Sequence, residues 1–276
     1  MWGEILWDRF PDGDQLGGAP ANVAWHLGQR GAHAMLVSRV GDDADGRRAI
    51  ARLAERVDVS LIQVDPARAT GEVLITLDDA GEPRYRLVPG RAWEGIAVTA
   101  SVRAALAGAA AVVHGTLALR TADALAAWRT LIAAAPPGCL RVCDPNLRPD
   151  HLDPAVIAEA LAGADVIKLN TREVDQLRRH LGWNDPVARL RDHARVVALT
   201  RGAEGSTLYA GDQVIEVAGV AATPGGDSVG CGDAYLAVLV HGLVAGEDLE
   251  ATAIAASAWA ARVAGCRGAT PDLAEP

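Results

Sequence analysis

The chain has 276 residues, half of them hydrophobic and 22% charged, which suits one large α/β domain. Its net charge of −9 argues against a nucleic-acid surface, which carries a basic patch. It leaves a phosphate-bearing small molecule open, because glycine loops and helix ends hold phosphate locally.

Glu4, Asp8 and Arg9 fall within the first ten residues, so no secretory signal is expected and a cytoplasmic location is. Ile5-Leu6-Trp7 reads as a strand with almost no lead-in, and the first strand is expected to be short or clipped. Apolar runs of strand length follow at 34–40, 110–114, 140–144, 165–169 and 196–200. Helical spacing occupies 21–30, 44–56, 122–134, 154–162 and 172–181. That alternation predicts a mainly parallel sheet covered on both faces.

Two segments break the rhythm. Residues 70–77 and 84–88 alternate around the turn signal Asp78-Asp79-Ala80-Gly81-Glu82-Pro83, and are expected to project as a small β lid. Residues 206–209 and 213–217 form a second hairpin around Ala210-Gly211-Asp212. The most apolar helix, over 249–265, contains Glu250 and Arg262 and falls short of a membrane span. Cys139 and Cys143 have C-x₃-C spacing, but no second Cys/His pair lies at zinc-like distance, so a buried strand is the reading.

Chemistry concentrates in glycine-rich turns. Gly225-Gly226-Asp227-Ser228-Val229-Gly230-Cys231-Gly232-Asp233 leads into an apolar helix. Its glycines admit close approach, the helix N-terminus suits a phosphate or developing oxyanion, and Asp233 can take a proton from a hydroxyl. A Walker loop is excluded because Cys231-Gly232 stands where Lys-Ser/Thr is needed; a dinucleotide fingerprint fails at Tyr235. Upstream, Gly17-Gly18-Ala19-Pro20-Ala21-Asn22 opens a helix shortly after Asp8. Asn22 can both donate to and accept from a hydroxyl, and Asp8 can accept, a combination that suits a polyol. Asn170-Thr171-Arg172-Glu173 lies at a strand-to-helix junction, where Glu173 can cap the helix or hold Mg²⁺ through water. Thr200-Arg201-Gly202-Ala203-Glu204-Gly205 follows another strand, and Asp144-Pro145-Asn146-Leu147-Arg148 places Arg148 where it can meet a phosphate.

In order and spacing these pieces resemble the ribokinase-like (PfkB-type) carbohydrate kinases, and among them the fructokinase-like branch. The resemblance spans 3–271 and rests on five motifs in sequence. It implies a three-layer α/β/α sandwich with a mainly parallel central sheet, one kinase domain over 1–276 and a small β lid contributed mainly by about 70–90. By the same resemblance Asp233 matches the catalytic base, and the amides of Gly230, Cys231 and Gly232 match the anion hole. Asp8, Gly17, Gly18 and Asn22 match sugar contacts. Asn170, Thr200, Gly202 and Gly205 match the nucleotide site, with the adenine near 251–264. Glu173 matches the Mg²⁺ element, and Asp227 matches a position near a monovalent-cation loop, with K⁺ the candidate.

The implied reaction is ATP-dependent phosphorylation of a sugar's primary hydroxyl, with fructose the first expectation. A homodimer through the lid edge is also expected, since exposed edge strands seek partners. Three rivals stay open. A keto-deoxy sugar acid would need a cationic anchor, for which Arg84, Arg86 and Arg91 are candidates. A nucleoside would need aromatic stacking, offered by Trp7, Trp25 or Trp93. A catalytically silent sugar- or nucleotide-binding protein is the third.

Overall fold

The adjacent apolar side chains Leu6 and Trp7 bury the start of the first strand, β1 (Leu6–Phe10), which turns back as β2 (Gly13–Gly17) before Pro20 seeds the first turn of α1 (Ala19–Gln29). Short β3 (Ser38–Gly41), α2 (Ala44–Leu53) and β4 (Ile62–Asp65) follow. The hairpin β5 (Gly71–Leu77) and β6 (Pro83–Leu87) comes next, its turn lying outside the described residues. A regular alternation then runs through α3 (Ala100–Leu106), β7 (Ala111–His114), α4 (Ala122–Ala133), β8 (Leu140–Cys143), α5 (Pro154–Ala162) and β9 (Val166–Asn170). It continues through α6 (Thr171–Leu181), α7 (Pro186–Arg191) and β10 (Val196–Thr200), then the hairpin β11 (Ser206–Ala210) and β12 (Gln213–Val217). Two long helices, α8 (Cys231–Ala245) and α9 (Leu249–Ala264), complete the chain. The structure is a computed structural model that describes residues 1–11, 13–77, 83–148 and 153–273.

The main sheet has six strands in the order β12-β11-β10-β9-β8-β7. β7 to β10 are parallel and the last hairpin is antiparallel. Trp2 bridges in parallel to both His114 and Val37, stitching this sheet to the parallel pair β3–β4. One apolar layer, with Trp25, Leu236, Leu239 and Trp259, lies between the sheet and α1, α2, α8 and α9. A second, with Trp128, Leu161, Leu177 and Leu190, lies under α3 to α7 on the other face. Burying each such side chain contributes roughly 1.5–3 kcal/mol, so the two layers hold the sheet between them. Cys139 and Cys143 are buried, but only Cys143 lies in the strand expected for both, Cys139 standing just before β8.

The expected lid hairpin belongs to a larger unit. β5 pairs in parallel with β1, and β1 pairs with β2, giving a four-stranded sheet of order β2-β1-β5-β6. The first strand is therefore five residues long and serves this smaller sheet. Sequence reasoning passed over β2 because Gly-Asp-Gln-Leu-Gly lacks strand-forming residues; its partner supplies the pairing.

Candidate active site

In an open α/β sheet, ligands meet the carboxyl ends of parallel strands. Here Asp144 follows β8, Asn170 ends β9, and Thr200 ends β10 directly opposite Asn170. Thr200 donates its hydroxyl to Leu169 O (3.2 Å), while Gly202 and Gly205 form the turn beyond it.

Among the nine helices described, seven are capped by a side chain: Asp43, Thr99, Thr121, Asp153, Asn170, Asp185 or Asp248 accepts from the first turn. The exceptions are α1 and α8, whose caps are Gly18 and Gly230 with no side-chain bond. Neither glycine is replaceable. At Gly18 (φ 108°) a Cβ would stand 2.3 Å from the Glu4 carbonyl oxygen, and at Gly230 (φ 74°) 2.6 Å from Ala269 Cα. The absent cap at α8 leaves backbone donors and the positive helix end available to an anion.

These two helices bring the distant motifs together. Asn22 Nδ2 on α1 donates to Asp233 Oδ2 in the first turn of α8 (2.8 Å). Asn22 is buried, and its Oδ1 has no protein partner. An orphaned acceptor beside a carboxylate is what a ligand hydroxyl would satisfy. Burial pushes the Asp233 carboxyl up to about 7, with Asp144 adding to the rise and Lys168, Asn22 and Arg148 opposing it. Asp8 on β1 is half-buried and pairs with Gln15, its side chain reaching along β2 to Gly17, where a Cβ would lie 2.5 Å from Asp8 Oδ2. Burial raises Asp8 to about 6 against the pull of Arg148. The charge of Arg148 thus acts on both the Asp8 and the Asp233 carboxyls.

The sequence reading missed Lys168. Its Nζ donates to Asp144 Oδ2 (2.7 Å), and both groups are buried. A Cβ on Gly232 would lie 2.8 Å from that Nζ, so the ammonium sits directly under the first turn of α8. Burial alone would lower its pKa, but Asp144, Glu173 and Asp233 outweigh burial and raise it. The signal was a lone charged residue inside the apolar run Val-Ile-Lys-Leu-Asn.

Glu173 completes the capping box foreseen for it. Its Oε2 accepts from Asn170 N (2.8 Å), and Asn170 Oδ1 accepts from Glu173 N (3.0 Å). Glu173 Oε1 also accepts from Leu147 N (3.2 Å), tying down the loop of Asp144 and Arg148. That loop is strained: Asn146 (φ 45°) has the only positive φ outside glycine among the described residues. Each Glu173 oxygen keeps one lone pair, enough for the outer hydration of Mg²⁺ though not for a bare-metal cage. No group of three or more His, Cys, Asp or Glu among the described residues could hold a metal directly. Asp227 staples two loops, accepting from Val229 N (2.9 Å) and Gly268 N (3.0 Å).

The nucleoside reading fares less well: Trp25 and Trp93 are completely buried and Trp7 nearly so, leaving none of the three for base stacking. Of the cations named for a sugar acid, Arg91 is paired with Glu72, Arg86 is exposed on β6, and the Arg84 side chain lies outside the described residues.

The carboxyl ends of parallel strands, an open helix N-terminus, a carboxyl raised to about 7 and acceptors for hydroxyl groups fit a phosphotransferase acting on a hydroxyl. Residues 13–276 match the pfkB family carbohydrate kinases, and the chain belongs to that family. It is thus an ATP-dependent sugar kinase with the ribokinase-like fold. Similar proteins include a fructokinase of Klebsiella pneumoniae, 30% identical over 258 residues, 88% of this chain and 83% of that one. A 2-dehydro-3-deoxygluconokinase of Thermoproteus tenax is 30% identical over 276 residues, 95% of this chain and 83% of that one. Among solved structures, a Vibrio cholerae O395 fructokinase bound to fructose, ADP and calcium superposes with a TM-score of 0.82. It is 25% identical, over 98% of this chain and 93% of that one.

Proposed function

We propose that this kinase transfers the γ-phosphoryl group of ATP to a primary hydroxyl of fructose. The observation that carries this reading is the Asn22–Asp233 bond, which sets a sugar-binding helix against a carboxylate at the uncapped end of α8. Ionised Asp233 accepts the proton of the sugar hydroxyl as its oxygen attacks the γ-phosphorus and the bond to the ADP oxygen breaks. Amides of Gly230, Cys231 and Gly232 receive the charge on the moving group, with Lys168 beneath them. Asn22 Oδ1 and Asp8 accept sugar hydroxyl protons, and Gly17 and Gly18 allow the sugar close to the backbone. Asn170, Thr200, Gly202 and Gly205 hold the nucleotide. Mg²⁺, held through water at Glu173, neutralises phosphate charge when bound. K⁺ is proposed for the loop that Asp227 staples.

The four-stranded sheet carries Asp8 and acts as the lid, excluding water during transfer. Its outer strand β6 presents Tyr85, 59% exposed, and pairs two copies into a homodimer. Light scattering that finds only monomer overturns the dimer. The kinase works in the cytoplasm, where ATP is supplied; no helix among the described residues is long and apolar enough to cross a membrane.

The test is ADP release over a panel of sugars, comparing the parent with Asp233→Asn. Fructose should give the highest kcat/KM, and the variant should lose about 10²–10⁴-fold. Undiminished turnover by Asp233→Asn refutes the assigned base. A preference for a sugar acid over fructose refutes the substrate.

A further inference from the structure

α1 carries a second polar side chain on the face that holds Asn22. His26 lies one helical turn further on and is completely buried. Its Nε2 donates to Ala269 O (2.9 Å), and its Nδ1 accepts from Trp259 Nε1 on α9 (3.3 Å). An indole N–H only donates and a carbonyl only accepts, so the two partners fix one tautomer of the ring. Burial pushes its pKa down to about 4 against the pull of the Ala269 carbonyl, and the ring is neutral near pH 7. Trp259 meets it edge-on, with the ring planes at 88°.

Ala269 stands directly on the α8 cap. A Cβ built on Gly230 would lie 2.6 Å from both Cα and Cβ of Ala269, so that residue fills the space a side chain would take. Its neighbour Gly268 donates N–H to Asp227 Oδ2 (3.0 Å), and Asp227 Oδ1 accepts from Val229 N (2.9 Å) just ahead of the cap. Residues 268–269 thus brace the uncapped helix end at two points. Further along the same segment the anchors are redundant: Trp25 Nε1 and Gln29 Nε2 both donate to Pro271 O, and Arg52 donates to Thr270 O. Of these donors His26 is the one that reaches the residue packed on Gly230.

We propose that His26 is a positioning residue for phosphoryl transfer: it holds Ala269 against the α8 cap and so keeps the amides of Gly230, Cys231 and Gly232 aimed at the moving phosphoryl group. One face of one helix then sets both halves of the chemistry, Asn22 orienting the Asp233 carboxylate and His26, through Ala269, the anion cradle beside it. Without the ring the 268–269 segment lifts from the cap, and the left-handed Gly230 is free to relax. The cradle takes up charge that develops only during transfer, so the loss falls on kcat and leaves binding of sugar and ATP in place.

This rests on the role proposed for those amides, and the test keeps the two apart. kcat and KM are measured for ATP and for the preferred sugar, well below Tm. His26→Leu fills the space and removes the donor; it should lower kcat about 10–100-fold while both KM values stay within about twofold of the parent. His26→Gln keeps an N–H for the carbonyl and should recover most of the loss. Gln29→Ala removes bonds to Pro271 and Leu273 of the same segment and should lower Tm with kcat unchanged. A parental kcat in His26→Leu overturns the proposal. So does His26→Gln no faster than His26→Leu, or Gln29→Ala as slow as either. If His26→Leu does not fold, Ala269→Gly reads the same step, since it strips the Cβ from the cap and leaves the ring in place; a parental kcat there also overturns the proposal. Gly230→Ala separates the two readings. Full turnover by that variant removes the cradle itself, whereas loss in Gly230→Ala with none in His26→Leu removes only the part given to His26.

Discussion

The floor beneath α8 and the four-stranded sheet hold charge in opposite ways. The floor buries Asp144, Lys168 and Glu173 among the ends of three parallel strands, with one close ion pair, backbone donors on both Glu173 oxygens, and Asp144 Oδ1 without a hydrogen-bond partner. The smaller sheet spreads its charges over the surface: one guanidinium, Arg9, reaches Asp14, Asp45 and Glu72, and Glu72 also meets Arg91. Buried charges resist rearrangement because losing a partner strands the other in low dielectric. Exposed pairs exchange with water at little cost. The difference separates the part that stays fixed from the part proposed to open as a lid.

The harshest way to break the comparison is Lys168→Met. It leaves Asp144 buried without its cation and should cost about 3–5 kcal/mol, seen as a large fall in Tm. Adding Asp144→Asn should restore much of the stability and none of the activity, because the charge under α8 stays missing. Recovery of turnover in the double variant would reduce Lys168 to a structural role. The next test is pH. Asp233 works ionised and titrates near 7, so kcat/KM should fall about tenfold per unit below that value. Stability carries the opposite sign. The folded carboxyl holds its proton more tightly than the unfolded one at 3.8, so this group favours the fold at low pH and loses that contribution as pH rises to about 7. Asp233→Asn should therefore melt no lower than the parent at pH 8, although it is nearly inactive.

The sequence disclosed the site unevenly, for physical reasons. Asp233, Asn22 and the glycine caps were legible because a helix end that must stay open excludes the usual Ser, Thr or Asp cap, and glycine takes its place. The alternating helices and strands were legible from periodicity. Lys168 was hidden within a strand reading, since its partner lies 24 residues away, just past the end of the neighbouring strand β8, and only the fold shows them side by side. β2 and the short helix α3 were hidden because tertiary pairing, not local propensity, holds them.

Asn22→Ala probes the join between the two regions. It removes the donor to Asp233 and the free acceptor proposed for the sugar, so kcat/KM should drop about 10–100-fold, the range for bonds to charged groups. Asn22→Asp would instead place a second carboxylate beside the first, and that variant should regain activity only at lower pH, where the pair shares a proton.

The mildest change lies on the surface. Arg9→Ala removes three ion pairs at once, yet each is partly solvated, with Arg9 23% exposed. The loss should be about 1 kcal/mol or less, and it should shrink further in 1 M NaCl as screening weakens the pairs in the parent too. If the sheet is a closing lid, loosening β1 acts on sugar retention more than on chemistry. KM for the sugar should then rise while kcat holds. A fall in kcat with unchanged KM would instead show that Arg9 fixes Asp8 for the transfer step, and the smaller sheet would join the floor beneath α8 as rigid machinery.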